Sequence, residues 1–208
     1  MHESIPFLVS GISFGLAAGL APGPLLTLVV SETLRHGKRQ GILVAIAPVL
    51  TDIPIVILSL LIISKLSDSM TALGLISLSG AAFIAYLSYE GLTSSGMNID
   101  PSSIKPNSLK KGVLTNMLSP HPYLFWMTVG APLISRAYEV GLHACMIFIL
   151  AFYLLLTGSK VAIAVLVDSS RSMLESRAFV YIEKALGLIL LSFAVMFFSE
   201  GLNLLGLL

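Results

Sequence analysis

Six stretches of more than 20 mostly apolar residues recur along the chain, at residues 5–30, 41–64, 70–92, 112–135, 141–167 and 181–207. About 20 such residues carry a helix across the hydrocarbon core of a bilayer. Lipid offers no partner to a bare N–H or C=O, so continuous runs of this length fold as helices that pair their own backbone. The expectation is an all-α membrane protein of six transmembrane helices. Charge agrees: 11% of the residues are charged and 56% hydrophobic, where a soluble domain carries about a quarter charged. The first four residues hold no Lys or Arg, and the first apolar run outlasts a secretory leader. It therefore reads as a retained span.

The basic residues set an orientation. Arg35, Lys38 and Arg39 lie in the first connector, Lys105, Lys110 and Lys111 in the third, and Arg171, Arg177 and Lys184 in the fifth. The second and fourth hold only Lys65 and Arg136. The side rich in Lys and Arg is cytoplasmic, so both termini are expected outside a cytoplasmic membrane that the chain crosses several times. A net charge of +1 speaks against a nucleic-acid partner, which calls for a basic stripe. The one cysteine, Cys145, cannot form an intrachain disulfide or a thiolate zinc site.

Two segments break the apolar pattern alike. Pro22-Gly23-Pro24 lies in the first stretch and Pro120-His121-Pro122 in the fourth. Proline has no N–H and clashes with the carbonyl one turn back, so each Pro-x-Pro is expected to break or kink its helix. Three spans per half is an odd number, so the halves enter the membrane in opposite directions. This makes two inverted three-helix repeats, residues 1–92 and 112–208, joined by a cytoplasmic linker at 93–111 in one membrane domain. The half-helices that restart after the prolines expose unpaired N–H groups and the positive end of the helix dipole. Facing each other near the midplane, they would hold an anion such as a carboxylate; the alternative is a pair of kinks that shape packing and bind nothing.

Ionisable residues inside spans mark function by default. Asp52, after Thr51 and two residues before Pro54, lies mid-span in the second stretch. It reads as a seat for a substrate ammonium or a cation, as a proton carrier, or as a structural ion pair or a neutral, protonated acid in the bundle. Lys160 in the fifth stretch either pairs with Asp52 or a substrate anion, or snorkels to the inner interface. His121 is either a proton relay or a packed polar residue at a kink. Glu32, Glu90 and Asp168 read as interfacial. Gly11, Gly15 and Gly19 form a double GxxxG stripe, for packing within the protomer or on a homodimer face.

These residues in this order resemble the LysE/RhtB family of amino-acid exporters, the LysE-type translocators. The resemblance rests on Gly19 to Pro24 with the basic loop Arg35 to Gly41, on Asp52, and on Lys111 to Pro120 followed by Leu124-Phe125-Trp126 and Pro132. It covers nearly the whole chain. Ser119 stands where the family usually has Asn, His121-Pro122 replaces a more typical basic residue, and Thr51 replaces a glycine. The resemblance implies export of amino acids or related small solutes, driven by the proton gradient or membrane potential. The wider superfamily also includes exporters of metal cations.

The reading is an alternating-access, secondary-active exporter, not an enzyme, with no cofactor. Pro22, Gly23, Pro24, Ser119, Pro120, His121 and Pro122 would hold the substrate carboxylate. Asp52 would take the amino group or carry a proton, with Thr51 beside it in the binding site and Lys160 as counter-charge. An exporter of inorganic cations, a channel and a non-catalytic membrane subunit are the rivals.

Overall fold

The computed structural model describes residues 2–63, 66–93, 106–171 and 176–207, and all regular structure among them is helical. The chain runs through α1 (Ile5–Leu20), α2 (Pro24–His36), α3 (Lys38–Ala45), α4 (Ala47–Ile63), α5 (Leu66–Leu92), α6 (Ser108–Met117), α7 (Pro120–Phe125), α8 (Ala131–Val140), α9 (Leu142–Arg171) and α10 (Ser176–Leu204). A π-helical turn, Trp126–Gly130, joins α7 to α8. Most of the expected linker, with Lys105, lies outside the described residues, as does Lys65; so do the side chains of Glu90, Arg171 and Arg177. The linker's last residues are already helical, because α6 starts at Ser108.

The prolines place the breaks. Pro22 has no N–H for the carbonyl of Ala18, and α1 ends at Leu20. The chain passes through Gly23 in extended conformation, φ −174°, and restarts with Pro24 as the first residue of α2. Proline suits that position because its missing N–H would have been unpaired there anyway. The bend between α1 and α2 is 60°. The fourth stretch breaks alike, with Ser119 extended and Pro120 opening α7.

Single glycines turn the chain between α2 and α3 and between α8 and α9. Gly37 has φ 87° and Gly141 φ 139°, values that a side chain disfavours.

Length and composition mark three helices among the described residues as able to cross a membrane: Lys38–Val56 through α3 and α4, Leu142–Ser170, and Val180–Leu204. Counting α1 and α2 as one bent span makes a fourth. The remaining two expected stretches fall short as single helices. The apolar part of α5 is Leu73–Tyr89, and the other is divided among α6, α7, the π-turn and α8.

Two long pairings hold the helices together: α1 on α9 and α5 on α10. The stripe Gly11, Gly15 and Gly19 faces α9 within the protomer. A Cβ on Gly11 would lie 2.6 Å from the Phe148 carbonyl oxygen and one on Gly15 2.5 Å from that of Phe152. The backbones approach this closely only because the side chains are absent. In the second pair, Gly74 and Gly201 face each other. Ser77 Oγ donates to the Phe197 carbonyl at 2.7 Å, and Ser88 Oγ to that of Gly187 at 2.9 Å. Exposed Leu8, Ile12, Leu150, Leu154 and Val195 form the apolar exterior that lipid calls for.

Glu32, expected at an interface, is 1% exposed. Its Oε1 accepts from Lys111 Nζ at 2.9 Å, its Oε2 accepts from Ser108 Oγ, and His36 Nδ1 lies 3.3 Å away. The antiparallel approach of α2 and α6 buries it: Lys111 and Ser108 come from the start of α6 and Glu32 from the end of α2. Asp168 Oδ1 accepts the backbone N–H of Lys38 at 3.0 Å, at the start of α3.

Candidate functional site

A cavity of about 350 Å³ opens where α1 gives way to α2 and α6 to α7. Pro22, Gly23, Pro24, Leu25 and Leu26 form one wall. Thr115, Asn116, Ser119, His121 and Pro122 form the facing one. Asp52 and Pro48 enter from α4, Phe125 and Trp126 from the segment after the second break, and Phe152, Leu156 and Lys160 from α9. Of the ten residues expected at the site, Pro22, Gly23, Pro24, Asp52, Ser119, His121, Pro122 and Lys160 line this cavity, whereas Thr51 and Pro120 are buried without lining it.

Asp52 is 4% exposed. Its Oδ1 accepts from Asn116 Nδ2 at 3.0 Å, and its Oδ2 from Tyr153 Oη at 3.0 Å and Trp126 Nε1 at 3.3 Å. All three donors are neutral. A carboxylate offers about four lone-pair sites, so one on Oδ1 remains for a ligand. Thr51 supports this arrangement from behind. Its Oγ1 donates to the Ala47 carbonyl at 3.0 Å and accepts from Asn116 Nδ2 at 2.7 Å, which fixes the amide against Asp52.

Lys160 is 3% exposed and does not snorkel. Its Nζ donates to the carbonyls of Ala18 at 2.9 Å and Gly19 at 3.0 Å. The carbonyl of Ala18 is the one that Pro22 leaves without its usual donor. An ammonium there also meets the negative end of the α1 dipole. Lys160 thus closes the end of the broken half-helix, and two of its three N–H groups are committed. The other break is closed by a neutral group: Tyr123 Oη donates to the Met117 carbonyl at 2.9 Å, at the end of α6.

The two restarted helices are unequal. At α2, the first bond back, from Thr27 N–H to the Gly23 carbonyl, is 3.0 Å, and Thr27 Oγ1 donates to the same oxygen at 2.9 Å. The N–H groups of Leu25 and Leu26 precede that bond and are left over. In α7, Pro120 and Pro122 remove two of the first three donors, which leaves His121. Of the two expected helix starts, α2 thus keeps two free N–H groups and α7 one. His121 is exposed and meets the ring of Phe197 edge-on at 5.4 Å. The hydroxyl of Thr115, 1% exposed, has no hydrogen-bond partner and sits in the cavity wall.

Asn116, Tyr153 and Trp126 all reach Asp52, although none of them was expected at the site from the sequence. Their signal is a polar tip in the middle of an apolar span, an amide in one case and ring donors in the other two.

A helical chain with an apolar exterior, broken helices and a solute-sized cavity beside a buried acid has the build of a membrane transport protein. The chain belongs to the LysE type translocator family, whose model matches residues 16–201. It is thus a multi-pass membrane protein that moves small solutes across the bilayer. No curated protein and no solved structure matches it.

Proposed function

We propose that the protein is a secondary-active exporter of amino acids from the cytoplasm, working by alternating access and coupled to the proton gradient. It carries out no chemical step on its substrate. One observation carries this reading: a single cavity of about 350 Å³ is lined both by Asp52 and by the first turn of α2. That volume lies at the small end of ligand pockets, about 300–1,000 Å³. An amino acid is a zwitterion, and the two poles fit the two features. Its ammonium meets the free lone pair of Asp52, and its carboxylate meets the N–H groups of Leu25 and Leu26 at the positive end of the α2 dipole.

The same reading makes the halves six spans in two inverted repeats. The packing of α1 on α9 is answered by that of α6 on α3 and α4, while α5 pairs with α10 across the halves. Both Pro-x-Pro breaks and both single-glycine turns recur at matching places in the order of elements. Inverted repeats with discontinuous helices at the midplane are a common build for secondary transporters. The basic connectors put the α2–α3 turn on the cytoplasmic side.

An inorganic cation fits less well. A divalent ion asks for several oxygen ligands, and no three His, Cys, Asp or Glu side chains converge among the described residues. The test is efflux from proteoliposomes preloaded with labelled amino acids, with and without an imposed pH gradient. Gradient-dependent efflux of one amino-acid class, lost in Asp52→Asn, is expected. Efflux of no amino acid from vesicles that hold folded protein removes the reading and turns the search to cations.

A further inference from the structure

We propose that the cavity selects amino acids with an uncharged, apolar side chain over those with a cationic one. The proposal rests on the amino-acid reading above and names the substrate class within it.

The argument is a charge inventory. Asp52 is the one carboxylate in the lining. Three neutral donors occupy it, and the lone pair that remains suits one ammonium. An α-ammonium takes that place, so a second cation on the same substrate finds no anion. Lys160 adds a like charge, held at the wall by the carbonyls of Ala18 and Gly19. An unpaired buried charge is strongly disfavoured.

Aromatic rings could in principle replace an anion, because a ring face attracts a cation. Here the rings are engaged with one another: Trp126 stacks on Tyr153 at 6.4 Å. Phe125 and Phe152 stack at 5.2 Å with planes 9° apart, and Phe148 stacks on Phe152 at 6.1 Å. Trp126 and Phe152 meet at 5.7 Å in a T-shaped arrangement, and the Trp126 N–H is given to Asp52. This wall is a hydrocarbon surface suited to an apolar side chain. The hydroxyl of Thr115, in the wall that faces the α2 start, is buried and without a hydrogen-bond partner, a second sign that the cavity takes a ligand with a polar group.

Trp126 is the only tryptophan in the chain and lines the cavity, so it reports binding by its own fluorescence. The experiment titrates the full chain in detergent with leucine, lysine and arginine and follows that signal. Leucine is expected to bind at least about tenfold more tightly than lysine or arginine, a difference of about 1.4 kcal/mol. In His121→Glu, which places a second acid in the lining, lysine is expected to tighten about tenfold. Lysine binding as tightly as leucine in the unaltered protein overturns the proposal. Efflux from proteoliposomes is the second readout and separates the two levels of claim. Lysine efflux faster than leucine efflux overturns the selectivity and leaves the exporter standing. Efflux of neither, with no saturable fluorescence change, overturns the amino-acid reading and this proposal together.

Discussion

Asp52 and Lys160 line one cavity from different helices and are held in different ways. Asp52 is held by neutral donors with capacity to spare, whereas Lys160 is bound to the end of α1. Their substitutions should therefore part company. Asp52→Asn keeps the size and most of the hydrogen bonds but removes the charge. It is expected to lower transport at least about tenfold while leaving yield and elution volume unchanged, read by efflux and size-exclusion chromatography. Lys160→Met removes a charged donor from two carbonyls that have lost their usual partners. It should lower stability by about 2–3 kcal/mol, read as a fall in Tm in detergent. A Lys160→Met protein of unchanged Tm would show that the ammonium does not hold the break. That both residues lie inside the protein was legible from their depth in apolar runs. Their roles were not, because a hydrogen-bond partner 142 positions away in the chain leaves no mark in local sequence.

Among the elements, the breaks and the glycine seam decide the shape. Two prolines two residues apart cannot be carried through a helix, so the interruption of the first and fourth apolar stretches was legible before any fold was known. Their inequality was legible too, but only by counting donors: Pro120 and Pro122 strip α7 of N–H groups that α2 keeps. The seam of α1 on α9 makes a sharp forecast. Gly15→Ala places a methyl group 2.5 Å from the Phe152 carbonyl oxygen, where backbone and not a flexible side chain must yield. A loss of about 1–3 kcal/mol is expected, read as a lower Tm. Gly158, on α9, has open space around its would-be Cβ, and Gly158→Ala is the control expected to hold Tm or raise it slightly. The π-turn at Trp126–Gly130, which follows Trp126's contact with Asp52, had no counterpart in the sequence reading. Apolar periodicity does not register one extra residue in a turn.

For the whole molecule, two features tie or orient the halves. The Glu32 cluster joins α2 to α6 through Lys111 and Ser108. Glu32→Ala removes the hydrogen bonds that the acid accepts from Lys111 and Ser108 and so should lower stability by about 2–3 kcal/mol, read by thermal unfolding. The charge asymmetry makes the second forecast. Cys145 is the only cysteine, so a Cys145→Ala background reports single introduced cysteines cleanly. Lys110→Cys should react with an impermeant thiol reagent from the cytoplasmic side alone, and Tyr138→Cys from the opposite side alone. Labelling of both from one side would overturn the proposed arrangement of spans.

The sequence by itself determined that this chain is helical, lives in lipid and breaks twice in its apolar runs. Each of those follows from local chemistry: apolar length, the unpaired cost of a backbone group in hydrocarbon, and the missing N–H of proline. It also pointed to Asp52, because a charge in an apolar run stands out against its neighbours. Only the tertiary structure decided that Asn116, Tyr153 and Trp126 converge on that carboxylate, that Lys160 closes α1, and that Glu32 is buried between two helices. Those contacts join residues far apart in the chain. Which faces meet is set by how helices pack, through glycine seams and small side chains, and no single segment carries that information alone.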